Sequence, residues 1–121
     1  MYRSILFIVL LLPIFLFSCE KDEVEEPQTY DCTGLTPTYT AEIKPIIDTN
    51  CATSGCHDSS SQAGGINLST YALTSSESNN ARFLGSIQRL SAYSSMPRNS
   101  AKLSDTTIQL IYCWVENGQP E

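Results

Sequence analysis

Apolar residues are spread along this chain in three different ways. Over residues 5–17 they form an almost unbroken run, interrupted by Pro13. Over residues 20–31 they nearly vanish, and beyond Cys32 they return at helical spacing. Three helices follow from that spacing. The first covers residues 40–50, with Thr40 as its cap and Ile43, Ile46 and Ile47 on one face. Pro45 falls early in it, where a missing N–H is tolerated. The second covers residues 79–90, in which Phe83, Leu84, Ile87 and Leu90 recur. The third opens at Ser104 or Asp105 and is stopped by Gly118 and Pro120. On it Ile108, Leu110, Ile111, Tyr112, Trp114 and Val115 cover a broad apolar arc, with Asp105, Gln109 and Glu116 opposite. No strand-like alternation occurs, and residues 58–67 and 91–103 read as long irregular loops. The chain is therefore predicted to be all-α, with three or more short helices. Loops this long in a small domain generally serve a function.

The apolar run at the start is a targeting signal rather than fold. Arg3 supplies the positive charge, the run is too short for the ~20 residues of a membrane span, and Ser18 precedes the cut. Leu16-Phe17-Ser18-Cys19 resembles the lipobox of bacterial lipoproteins, which implies removal of residues 1–18 and a lipid on Cys19. Residues 19–31 then form an acidic tether and residues 32–121 the domain. The net charge of −6 belongs mostly to the tether, since residues 20–31 carry six acids against Lys21. Such a like-charged, apolar-poor stretch stays solvated. From Cys32 onward seven acids face five bases, with no basic stripe, so nucleic acid is excluded as a partner. The expected location is the outer membrane, on its periplasmic face or at the cell surface. Glu20-Lys21-Asp22-Glu23 resembles the surface-export signal of some Gram-negative lipoproteins.

Candidate chemistry lies in Cys51-Ala52-Thr53-Ser54-Gly55-Cys56-His57. A cysteine pair followed directly by histidine is the haem c attachment arrangement. Two thiols add across the vinyl groups, and the adjacent imidazole stands over the iron. The spacer here has four residues instead of the usual two, and Gly55 gives it freedom. His57 is the only histidine, and Met96 is the only methionine once Met1 has left. Together they supply a His/Met axial pair, with Pro97 keeping the Met96 loop from helix. A second reading takes the chain as a haem-free, disulfide-stapled lipoprotein, a binding or structural module in which Cys51 pairs with Cys56. That leaves the histidine and the Met-Pro loop unexplained. A structural zinc site wants four ligands from separated positions, whereas Cys51, Cys56, His57 and Asp58 crowd into one stretch.

Beyond these motifs the chain resembles a known family. Ile43-Lys44-Pro45-Ile46-Ile47, the Cys51–His57 segment and Gly64-Gly65-Ile66-Asn67-Leu68 carry the resemblance. Ser95-Met96-Pro97, Leu103-Ser104-Asp105 and residues 111–118 with Trp114 extend it over about residues 39–120. It is to the small monohaem cytochrome c-like domains of bacterial lipoproteins. The resemblance implies one haem c bonded to Cys51 and Cys56, with His57 as proximal and Met96 as distal iron ligand. It implies a monomeric electron carrier that meets redox protein partners, rather than an enzyme. Peroxidase-type activity needs a vacant or weak sixth site, against which Met96 speaks. The last helix is expected to pack across the first, with Trp114 near the crossing. On this reading Cys32 and Cys113 remain, and an oxidising compartment lets them pair as a disulfide; two unrelated free thiols are the alternative. Cys113 is expected on the polar edge of the last helix, near Gln109 and Glu116.

Overall fold

A computed structural model describes residues 25–121. The expected signal peptide, the expected lipidation site Cys19 and the first residues of the expected tether lie outside the described residues. All regular structure among the described residues is helical. The chain opens with a π-helical turn, Tyr39–Ile43, that continues as α1, Lys44–Asn50. A 3-10 turn, Ala63–Gly65, follows, then α2, Tyr71–Ser78, α3, Ala81–Gln88, and α4, Asp105–Glu116. No helix of the described residues is long and apolar enough to cross a membrane.

The three expected helices are present, with shifted ends. The first starts at Tyr39 because Thr38, not Thr40, caps it. The Thr38 hydroxyl accepts from the Ala41 N–H, and the Glu42 carboxylate accepts from the Thr38 N–H at 2.7 Å. This is a reciprocal capping box, stretched by one residue because the turn is π-helical. Ser104 caps α4 by accepting from the Thr107 N–H at 3.1 Å. At the other end Gly118 sits at φ +82°, with Gly118 N–H bonded to Val115 O and Gln119 N–H to Trp114 O. That pattern is a Schellman stop, and glycine provides the left-handed residue without penalty.

Helix α2 was not expected, and its composition explains why. Tyr71–Ser78 reads YALTSSES and carries no apolar stripe. Its buried positions are Thr74 and Ser78. Polar contacts hold it: Thr74 Oγ1 donates to Leu68 O, and Gln119 from the chain's tail donates to Ser78 Oγ and Asn79 Oδ1. Tyr71 OH donates to Gln119 O at 2.8 Å.

The core is built by α4 against the first helical segment. Trp114, Ile43, Ile47, Ile108 and Ile111 are fully buried, with Tyr39, Leu68, Phe83 and Ile87 completing the cluster. Trp114 stands obliquely to Tyr39, ring centroids 6.0 Å apart. The indole thus lies where α4 meets the opening turn.

Cys32 and Cys113 form a disulfide, Cα–Cα 5.4 Å. Cys113 is not on an open polar edge, as its sequence neighbours suggested. It is fully buried, because residues 30–35 lie over that side of α4. Gln109 donates to Asp31 O, Asn117 donates to Leu35 O, and Tyr30 packs on Tyr112 at 5.5 Å. The polar residues of that edge are the ones that bind the covering segment. Contacts to the domain also begin before Cys32. Gln28 is already clamped to the domain, since the Gln88 side chain accepts from its N–H and donates to its C=O, both at 2.8 Å.

The disulfide joins positions 81 residues apart. In the chain-entropy model such a closure contributes about 4–5 kcal/mol. A Cys32→Ala, Cys113→Ala variant is therefore expected to lose about 2–5 kcal/mol in urea unfolding. A loss within experimental error would show that the segment over α4 is held by its hydrogen bonds alone.

Candidate cofactor site

The sequence ends α1 where the chemistry begins. Cys51 is its C-cap, its N–H bonded to Ile47 O at 2.8 Å. The four-residue spacer is then folded into a β-turn, with Cys56 N–H bonded to Thr53 O at 3.0 Å. Gly55 occupies the third turn position at φ +82°, which a side chain would resist. His57 N–H returns to Cys51 O at 3.0 Å and closes the loop. The two extra residues are thus absorbed in the turn, and the ends of the segment stay adjacent. Asp58 accepts from Ser61 N–H at 2.7 Å, and the Ser61 hydrogen bonds hold its carboxyl below the ordinary value.

The imidazole of His57 is oriented by the backbone. Its Nδ1 lies 3.3 Å from Ile66 O. A carbonyl oxygen can only accept, so Nδ1 carries the proton and Nε2 keeps a free lone pair. That is the tautomer a metal ligand needs. Leu68 N–H donates to His57 O at 2.8 Å, which fixes the segment 66–68 beside the histidine.

Met96 lies on the loop after α3. Arg89 ends that helix in the left-handed region at φ +64°, with Leu90 N–H bonded to Gly85 O. Met96 N–H bonds to Ser86 O at 3.0 Å, and Arg89 donates through its guanidinium to Ser100 O. Between them the Tyr93 ring lies flat against the helix at Gly85. A Cβ there would stand 2.3 Å from Tyr93 Cδ2. The loop is irregular, yet it is tied to α3 at three places.

These two segments line one open cavity of about 740 Å³. Cys51, Cys56, His57 and Met96 all belong to its lining, with Ile66, Leu68, Phe83 and Ile87 as its apolar residues. The volume falls within the range of cofactor pockets. All four residues singled out in the sequence for one site are therefore brought together. Both cysteines are free thiols, Cys51 half-buried and Cys56 exposed. Burial, and secondarily the neighbouring Cys56, push the Cys51 thiol up to about 11. Among the described residues no three His, Cys, Asp or Glu side chains gather as a ligand group. Sequence reasoning missed Glu77, Arg82 and Arg98 at the cavity. Glu77 belongs to the helix that has no apolar pattern, and nothing marks an isolated arginine as a rim residue.

Two expectations follow from this geometry. In the chain with both thiols free, alkylation followed by peptide mapping should modify Cys56 well before Cys51. Only thiolate reacts, and Cys51 gains it only as pH approaches about 11. Equal rates at pH 8 would contradict the burial of Cys51. Gly85→Ala should displace the Tyr93 ring and cost about 1–3 kcal/mol of stability by overpacking. A wild-type melting curve would show that the ring does not rest on that helix.

Comparison of the chain with protein-family models, with curated proteins and with solved structures gives no match. The functional reading therefore stands on the residues of the site.

Proposed function

We propose that this protein is a c-type cytochrome, an electron carrier with one covalent haem held between the Cys51–His57 segment and the Met96 loop. The observation that carries the reading is the shared cavity. Two thiols, one imidazole and one thioether from distant parts of the chain line it, together with an apolar group of Ile66, Leu68, Phe83 and Ile87 and a charged group of Glu77, Arg82 and Arg98. That donor set would suit an iron porphyrin, with Cys51 and Cys56 as attachment points and His57 and Met96 as its ligands. A bound haem supplies a one-electron iron couple.

The chain's residues divide the remaining work. Cys51 and Cys56 hold the group by thioether bonds. His57 presents Nε2 because Ile66 O holds the Nδ1 proton. Met96 offers sulfur, a ligand that raises reduction potential, from a loop fixed by Ser86 and Arg89. Ile66, Leu68, Phe83 and Ile87 exclude water, which favours the less charged ferrous form. With His57 and Met96 both engaged, the group would supply electron transfer rather than substrate turnover. Cys56 is exposed, which puts that edge within reach of another protein. The family likeness to small monohaem cytochrome c-like domains agrees with this assignment. Export and a lipid anchor on Cys19 at the outer membrane complete the proposal. The Cys32–Cys113 disulfide supports export, because such bonds persist in oxidising compartments.

The test is to produce the chain in a host that makes c-type cytochromes and weigh the intact mature protein. One haem per chain, retained on denaturation, is expected for wild type and lost in Cys51→Ala, Cys56→Ala. Met96→Ala should keep the adduct, lose the methionine–iron charge-transfer band and admit carbon monoxide to the ferrous protein. Wild-type chain of bare polypeptide mass would end the proposal.

A further inference from the structure

Five cationic side chains fall among the described residues, and four of them, Arg82, Arg89, Arg98 and Lys102, lie within residues 82–102. Two are neutralised nearby. Arg82 pairs with Glu77 at 2.8 Å, and Lys102 with Asp105 at 3.5 Å. Arg89 and Arg98 have no ion pair among the described residues. They meet in a shallow pocket of about 500 Å³ with Ser94, Ser95, Asn99 and Ser100, and no carboxylate lines it. Arg89 is braced on Ser100 O, and its Nε is buried without a partner. Glu25 reaches the start of this loop, at the Ser91 N–H, but stays outside the pocket.

The location connects the pocket to the redox site. Ser94, Pro97, Arg98 and Ser100 line both this pocket and the larger cavity that holds Met96. We propose that the pocket is the docking point of an electron-transfer partner that presents carboxylates, with its Asp or Glu side chains seated between Arg89 and Arg98. Guanidinium groups bind carboxylates through paired hydrogen bonds, and the serine and asparagine side chains add donors around them. The inference rests on the haem reading and names the partner surface for it.

It also runs against the net charge of −6, which alone would repel an acidic partner. At about 0.1 M ionic strength the screening length is ~10 Å, less than the width of the domain, so an approaching anion senses the local pocket. That opposition of signs makes the test sharp.

Ferricyanide, an anionic one-electron oxidant, serves as the probe against the reduced holoprotein in stopped flow. As ionic strength falls from about 0.5 M to about 0.1 M, the wild-type rate should rise about two- to fivefold. Arg98→Glu should cut the rate at least about threefold at low salt and abolish or invert that dependence, while Arg98→Lys retains its sign. The methionine–iron band of each variant reports whether the loop still holds its ligand. A wild-type rate that falls with decreasing salt overturns the proposal, as does an Arg98→Glu variant with an intact band and wild-type kinetics. A chain that takes up no haem overturns both readings, and shows it by colour before any kinetics.

Discussion

One carbonyl oxygen, that of Pro120, holds the ends of this fold together. It accepts from the buried Trp114 indole at 2.9 Å and from the Tyr39 backbone N–H at 2.8 Å. A fully buried indole N–H left without an acceptor is costly. The first free N–H of the opening turn is another orphan donor. One acceptor in the tail satisfies both, so the last helix, the first helical turn and the C-terminal residues are fixed by a single point. The position of α1, and with it of Cys51 at its end, follows. Gln119 extends the arrangement by one residue, binding Ser75, Ser78 and Asn79 of the second helix region through its side chain. Its left-handed backbone, φ +60°, is accepted because so many bonds determine it.

Around that point the molecule substitutes hydrogen bonds for apolar packing to an unusual degree. A domain of this size buries little apolar surface. Here the core is one cluster of nine buried side chains, and polar residues do much of the joining outside it. Gln88 clamps Gln28, Gln109 and Asn117 bind the segment over α4, and Gln119 seats α2. Each is an amide or other group that satisfies irregular backbone or a polar helix face. Glutamine and asparagine are also the residues whose roles a hydropathy pattern hides.

That is why some of the structure was legible and some was not. Helix α4 and the first helix announced themselves because their apolar faces meet in the core, and α3 did so through Phe83 and Ile87. Helix α2 was silent because its buried face is Thr74 and Ser78. The site residues were legible for a different reason. Cys51, Cys56, His57 and Met96 belong to rare residue types whose chemistry is specific, so the Cys51–His57 adjacency and the lone Met96 marked them as candidates before any contact was known. The cavity's walls and the Arg98 rim consist of common residues, and only folding brings them there. The pairing of Cys32 with Cys113 was reachable by subtraction, but the burial of Cys113 was not, because it depends on residues 30–35 folding back over a polar edge.

The thin core and the large cavity are two aspects of one design. Long loops contribute few apolar contacts, and the two loops here leave a space between them that the side chains do not fill. Open to solvent, that void leaves its apolar lining in contact with water, and the burial of that surface is forgone. A flat apolar group bonded to the chain at two points would turn that void into core, without the entropy cost of holding a free ligand. The loops need not then be well packed in themselves. They need only be anchored at their ends, which is what the Ser86, Arg89 and Gly85 contacts do for Met96 and the Cys51–Thr53–Cys56 turn does for His57. Precision is concentrated in the few residues that touch the cavity, and the rest of each loop is left polar and exposed, free to form a surface for another protein.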